Sequence, residues 1–257
     1  MVLTVAGSDP SGGAGLQADL KTFHAHGVYG ASVVTLLTVQ NTVGVRAVEG
    51  VAPPFVRAQL DAVLDDLDVA VAKTGALGSA AVIEAVAARW AEGAPPLVVD
   101  PVMVSKHGAP LVDEAAVAAM VTRLLPHALV VTPNLAEAAR LVGFAVNTRD
   151  AMARAAAQIA ALGPRHVVIK GGHLAAEACD LVWSAGAVTV FEGPRIDTPH
   201  THGTGCSLSA AIAARLARRE PVVEAIRDAR RWVREAIATA PGLGHGRGPI
   251  NHGAEVV

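Results

Sequence analysis

The stretch Thr201-His202-Gly203-Thr204-Gly205-Cys206 sets two glycines around a threonine and follows them with a thiol. Beyond it Leu208, Ile212 and Leu216 recur every four residues, the spacing of one helix face. The glycines therefore fall where a helix begins. Backbone N–H groups are unpaired there and the helix dipole is positive, so the turn can cradle an anion. A cysteine in such a first turn ionises more readily, which makes Cys206 a candidate base. The same residues would also serve a plain Gly-rich turn holding a small buried cysteine.

Other polar residues close short apolar runs. Gln40 ends a β-branched run, and its amide offers a donor beside an acceptor. That suits a heterocycle edge with a ring nitrogen next to an amine, or a turn cap. Asp100 follows Val98-Val99, and Glu137 comes three residues after Asn134. Two carboxylates and an amide at strand ends suit Mg²⁺, which takes oxygen ligands and keeps several waters. The alternative is a turn before Pro101 and an exposed Glu137. Lys170 ends Val167-Val168-Ile169 and can put its charge on a phosphate, or turn out to solvent. In the glycine-rich loop 7–15 Asp9 reads as a helix cap; it and Asp19 are also possible acceptors for a small polar ligand.

Several chemistries are absent. The loop 7–15 lacks the Gly-Lys-Ser/Thr of a phosphate loop and the G-x-G-x-x-G of a dinucleotide site. His173, His200, His202, His245 and His252 do not form a zinc spacing. No G-x-S-x-G elbow exists, and Cys179 lies in an apolar run that reads as core.

Strands are predicted over 2–6, 31–39, 45–51, 69–73, 97–99, 128–131 and 167–169, with a hairpin of 179–183 and 188–191 turned at Ala185-Gly186. Helices are predicted over 16–26, 53–66, 79–92, 113–124, 135–142, 148–162, up to 218, and 222–238. This alternation calls for right-handed crossovers and a mostly parallel α/β sheet covered on both faces. With no composition break or repeat, residues 1–257 read as one domain. Ser8, Asp9, Thr74, Gly75, Asp100, Asn134 and Lys170 then gather beyond the carboxyl ends of the strands, where open α/β sheets bind ligands.

The net charge of -2 gives no electrostatic case for nucleic acid or a membrane surface. The arginines of 215–219 and 227–234 read as solvated helix faces. Two cysteines and no apolar run of about 20 residues fit a reduced, cytoplasmic protein.

Residues 6–23 (Ala-Gly-Ser-Asp-Pro-Ser-Gly-Gly-Ala-Gly-Leu-Gln-Ala-Asp-Leu-Lys-Thr-Phe) resemble the N-terminal signature of hydroxymethylpyrimidine/phosphomethylpyrimidine kinases, in the ribokinase-like superfamily. The resemblance continues through 39–42, 99–103, 132–138, 169–173, 201–212 and 244–249. It implies a three-layer α/β/α sandwich. It also implies phosphoryl transfer from ATP with Mg²⁺, first to 4-amino-5-hydroxymethyl-2-methylpyrimidine and then to its monophosphate, for thiamin synthesis. By this resemblance Gln40 pairs with the aminopyrimidine edge, and Ala14, Val102 and Asp19 surround the ring. Cys206 is the general base, and Gly203, Thr204 and Gly205 form an anion hole; because the second acceptor is already an anion, Cys206 is expected to matter mainly for the first step. Asp100 and Glu137 stand near Mg²⁺; Lys170, Asn134, Thr132 and His202 belong to the nucleotide side. A homodimer is implied as well.

Ala76 stands where the family usually carries Met, which leaves room at the ring wall: packing on the pyrimidine ring is looser there, or a neighbour such as Met103 fills the gap. Pyridoxal kinases of the same superfamily share the Gly-x-Gly-Cys helix start. Gln40 favours the aminopyrimidine over pyridoxal, with dual activity open. An NAD(P)-dependent oxidoreductase lacks its fingerprint, and a non-catalytic binding protein has no use for Cys206, Lys170, Asp100 and Glu137 together. The loop 105–109 is a candidate lid, and the Gly- and His-rich tail 244–252 carries no assigned role.

Overall fold

The computed structural model describes residues 1–104, 112–172 and 178–255, so the candidate lid and His173 lie outside the described residues. The chain runs β1 (Val2–Ser8), α1 (Gly15–Ala25), β2 (Gly30–Gln40), β3 (Val45–Gly50), α2 (Pro53–Leu64), β4 (Val71–Thr74), α3 (Ala80–Ala91), β5 (Leu97–Val99) and α4 (Glu114–Ala119). It continues through β6 (Ala128–Val131), α5 (Leu135–Val142), α6 (Arg149–Ala160), β7 (His166–Gly171), β8 (Ala178–Ser184), β9 (Ala187–Gly193), α7 (Thr204–Ala217) and α8 (Val222–Ala238). Among the described residues one sheet takes the order β3-β2-β1-β4-β5-β6-β7-β8-β9. The six strands from β2 to β7 are parallel, and β3, β8 and β9 add antiparallel edges.

Side chains alternate across the sheet with the strand period of two. Leu97 and Val99 face a core shared with α2, α3, α4 and α6, whereas Val98 faces the other core under α1, α7 and α8. Each fully buried Val or Leu contributes about 1.5–3 kcal/mol, and both cores are built mostly from such residues. This is the expected three-layer sandwich. No described helix is long and apolar enough to cross a membrane.

The helix expected over 113–124 departs from regularity. The α-helical part stops at Ala119, a π-turn spans Met120–Leu124, and a 3-10 turn spans Leu125–His127. Pro126 has no N–H to give the Thr122 carbonyl and its ring crowds that group, so the last turns must reorganise. The β8–β9 hairpin turns where expected, with Ala185 and Gly186 both at positive φ (49° and 86°). That is the geometry of a two-residue hairpin turn whose twist matches its strands.

The position of the site follows from strand order. From β1 the chain crosses through α1 to β2 on one side, and the sheet grows from β4 on the other. Adjacent connections leave on opposite faces there, which opens a crevice at the carboxyl ends of the strands.

Candidate active site

A cleft of about 770 Å³ lies at that edge, within the roughly 300–1,000 Å³ of small-molecule sites. Ser8, Gln40, Gly75, Asp100, Asn134 and Lys170 line it from successive strand ends, and residues 203–206 line it from α7. A second hollow of about 380 Å³ lies beside Pro95. Its one cation, Arg89, is already tied to Asp61 and Asp65.

Gly203 caps α7 with φ 80°. A methyl group there would overlap the Gly13 carbonyl oxygen, so the turn requires glycine on both conformational and steric grounds. Gly205 faces Lys170 and Asp100: a methyl group on it would sit 3.2 Å from Lys170 Nζ and 3.7 Å from Asp100 Oδ2. The anion cradle and the cation thus meet. Cys206 is half-buried and receives the Gly15 N–H. Its thiol is not easily ionised, contrary to the helix-dipole argument. Burial pushes its pKa up to about 11, against the downward pull of the Lys73 ammonium.

Lys73 enters the cleft wall from β4 yet is fully buried, as is its partner Asp19 on α1. The ammonium stands 2.8 Å from Asp19 Oδ2, which also accepts the Thr4 hydroxyl at 2.6 Å. Asp19 therefore does not line the ring pocket as expected; it lies behind Lys73 and holds it. The carboxylates Asp19 and Asp100 overcome burial and keep Lys73 protonated.

Lys170 Nζ lies 2.9 Å from Asp100 Oδ1 and 3.8 Å from Glu137 Oε2. Burial opposes its charge, but the two carboxylates prevail and raise its pKa. Thr132 is buried off the cleft wall and donates its hydroxyl to Asp100 at 3.3 Å, so it positions a carboxylate rather than a nucleotide. Asn134 and Glu137 form a capping box on α5: the Asn134 side chain accepts the Glu137 N–H, and the Glu137 carboxylate accepts the Asn134 N–H. Among the described residues no three His, Cys, Asp or Glu side chains group to hold a metal ion. Two carboxylates beside the Lys170 ammonium still fit Mg²⁺, which commonly takes one or two carboxylates and completes its shell with phosphates and water.

Burial raises the Glu137 pKa to about 7, only partly offset by Lys170. Since the folded value lies above the unfolded one, the protonated form is favoured by folding. Stability from this group is therefore full below about pH 4.3 and is lost as pH rises through 7, by an amount of the order of 3 kcal/mol. Denaturant titrations should show wild type losing stability between pH 5 and 8 relative to Glu137→Gln, whose amide oxygen still accepts the Asn134 N–H.

Ala14, Ala76 and Val102 line the cleft together with Leu36. Met103 is buried in the core and does not line the cleft beside Ala76. Gln40 projects from the end of β2 into this region. His202 joins it there instead of joining Lys170: its Nε2 lies 3.2 Å from the Gln40 amide and 2.7 Å from Asp9 Oδ2.

Residues 9–251 match the family described as phosphomethylpyrimidine kinase. The chain belongs to this family. It is 51% identical over 253 residues to the thiamine biosynthesis bifunctional protein ThiED of Geobacter sulfurreducens; the match covers 98% of this chain and 52% of that protein, so the chain spans about half of that relative. It is 49% identical over 253 residues to the hydroxymethylpyrimidine/phosphomethylpyrimidine kinase of Streptomyces coelicolor, covering 98% of this chain and 94% of that one. Among solved structures, the ADP complex of Bacillus subtilis pyridoxal kinase superposes with a TM-score of 0.92 at 40% identity, covering 98% and 97% of the two chains.

Beyond the motifs of the phosphomethylpyrimidine kinase family, three cleft residues (Lys73, Arg230 and Arg234) were not among the candidate site residues, and a fourth, Asp9, was expected as a cap or a ligand acceptor. Asp9 is no helix cap: its carboxylate accepts the Ser11 N–H and hydroxyl, the Ala14 N–H and His202, which folds the loop into the wall. Lys73 looked like the end of a strand. Arg230 and Arg234 are not on a solvated face of α8; they line the cleft, Arg230 paired with Asp180 at 2.8 Å. An arginine i,i+4 pair beside Val233 and Ile237 on one helix face was the available signal.

Proposed function

We propose that this chain transfers the γ-phosphoryl group of ATP to the hydroxymethyl group of 4-amino-5-hydroxymethyl-2-methylpyrimidine, and then a second one to the monophosphate. One observation carries the reading: the N-terminal turn of α7, with Cys206, opens into the same cleft as the Lys170–Asp100 pair and Gln40. The acceptor's ring lies between Gln40, Ala14 and Val102, and its hydroxymethyl oxygen points to Cys206. Lys170 draws charge from the phosphates. The N–H groups of residues 203–206 face the equatorial oxygens of the group in flight, where preorganised donors lower the barrier most. A loose transition state asks for this positioning and charge stabilisation more than for covalent help. Asp100 and Glu137 would hold Mg²⁺, which would add positive charge beside the phosphates. Cys206 takes the hydroxyl proton as the bond to phosphorus forms.

A second reading, phosphorylation of pyridoxal, draws on Ala76, which leaves the ring wall open, and on the likeness to the Bacillus subtilis enzyme. Coupled assays of ATP consumption with the pyrimidine alcohol, its monophosphate and pyridoxal at equal concentrations decide the matter. Turnover of both pyrimidines, each faster than pyridoxal, is the expected result; faster turnover of pyridoxal would overturn the first reading.

A further inference from the structure

From the hydrogen-bond pattern around His202 we infer that the Asp9–His202 pair fixes which way round the Gln40 amide sits, and so acts as a specificity-positioning device for the acceptor ring. The inference rests on the reading that Gln40 faces that ring.

The pattern begins at Asp9. Burial raises its pKa, but hydrogen bonds from His202 and Ser11 outweigh burial and hold it below the usual carboxylate range. It is ionised at neutral pH and can only accept. His202 Nε2, 2.7 Å from Asp9 Oδ2, must therefore carry its hydrogen. The Gln40 atom 3.2 Å from that N–H is assigned as the amide nitrogen, which would set donor against donor. At the other end of the amide, Thr38 Oγ1 lies 3.3 Å from the assigned oxygen. Yet the single Thr38 hydroxyl hydrogen is already given to the Ser8 carbonyl at 2.9 Å.

Amide oxygen and nitrogen are assigned from such networks, and turning the group by 180° resolves both conflicts at once. Oε1 then shares the His202 N–H with Asp9, and Nε2 donates to the spare lone pair of Thr38. One lone pair and one N–H remain for a ligand, with their order set. An exocyclic amine belongs on the His202 side and a ring nitrogen on the Thr38 side.

The surroundings keep His202 from relaxing. Its ring lies against Gly13, where a methyl group would come within 2.5 Å of Cδ2. Its backbone N–H donates to the Gly248 carbonyl at 3.0 Å, and it forms an isolated bridge with Pro249. In the same tail the Arg247 N–H donates to the Thr42 carbonyl at 2.8 Å, and the Gly246 N–H to the Thr42 hydroxyl at 3.3 Å. The tail thus ties the end of β2, two residues beyond Gln40, to the turn that carries His202. This gives the Gly-rich segment 244–249 a role.

The test compares the amino alcohol with its analogue bearing hydrogen in place of the amine. His202→Phe keeps a ring against Gly13 but removes the N–H. It should raise KM for the amino alcohol about ten-fold, roughly the worth of one oriented hydrogen bond. Changes in kcat, and in KM for the deamino analogue, should stay within about two-fold. Equal rises of KM for both substrates would make the ring merely structural and overturn the inference. Gln40→Ala separates the two levels. If it leaves both KM values unchanged, the ring-pocket reading falls and this inference with it. If it abolishes the preference for the amine while His202→Phe preserves it, the inference alone falls. Should His202→Phe not fold, ¹⁵N NMR of the wild-type histidines serves instead: Nε2 of His202 is expected to be protonated, and a bare Nε2 would overturn the inference.

Discussion

Replacing Cys206 by alanine is expected to slow phosphorylation of the pyrimidine alcohol by about 10²–10³-fold, within the range for a positioned base, and that of the monophosphate by less than about ten-fold. The difference lies in the acceptors. The alcohol must lose a proton as it attacks, whereas a phosphate monoester, with a second pKa of about 6, is already anionic at neutral pH. The backbone N–H groups of the α7 turn survive the substitution and serve both steps. With the thiol pushed to about 11, roughly one molecule in 10⁴ holds the thiolate at pH 7, and that fraction grows ten-fold per unit. The kcat/KM for the alcohol should therefore climb with pH through 8 and 9 in wild type, and the climb should vanish in Cys206→Ala. Single-turnover rates on both acceptors across pH measure this. Equal losses on the two acceptors would mean that Cys206 shapes the turn and takes no proton.

The convergence of Ser8, Asp100, Lys170 and the Gly203–Cys206 turn on one edge was legible in the sequence. Each polar residue ends an apolar run, and a parallel sheet sends all such ends the same way. What stayed hidden depends on partners distant in sequence. Asp19 and Lys73 are 54 residues apart and meet only because α1 packs over β1, whose neighbour in the sheet is β4. His202 goes to Gln40 because Gly248 and Pro249, at the far end of the chain, hold its backbone. The thiol failed the dipole argument for a related reason. A first-turn position is visible in a sequence, whereas the desolvation that outweighs it arises from everything packed around Cys206. The π-turn at 120–124 also required a judgement of how far Pro126 acts back along its helix.

The fully buried Lys73–Asp19 pair supports the largest stability effect expected here. Lys73→Met leaves Asp19 without its counter-charge in a dry interior, and breaking such a pair costs about 3–5 kcal/mol. For a chain of this length that lowers Tm by about 10 °C. Adding Asp19→Leu removes the stranded carboxylate, and apolar groups of similar volume are tolerated where a buried pair stood, so most of the stability should return. Activity should not return with it. Lys73 is the first of the groups that pull the Cys206 pKa down, ahead of the Gly15 N–H. Without the ammonium the thiol rises further and less thiolate exists at any working pH. The double variant is expected to fold with near-normal Tm yet phosphorylate the alcohol about ten-fold more slowly, with the monophosphate step much less affected. Calorimetry gives the first half of that result, and the two acceptor assays with the pH dependence of Cys206 alkylation give the second. A double variant with restored Tm and full alcohol activity would reduce the pair to a structural role. A restored Tm with selective loss of the alcohol step would place Lys73 beside Cys206 in the chemistry, with Asp19 and Thr4 as the groups that hold it there.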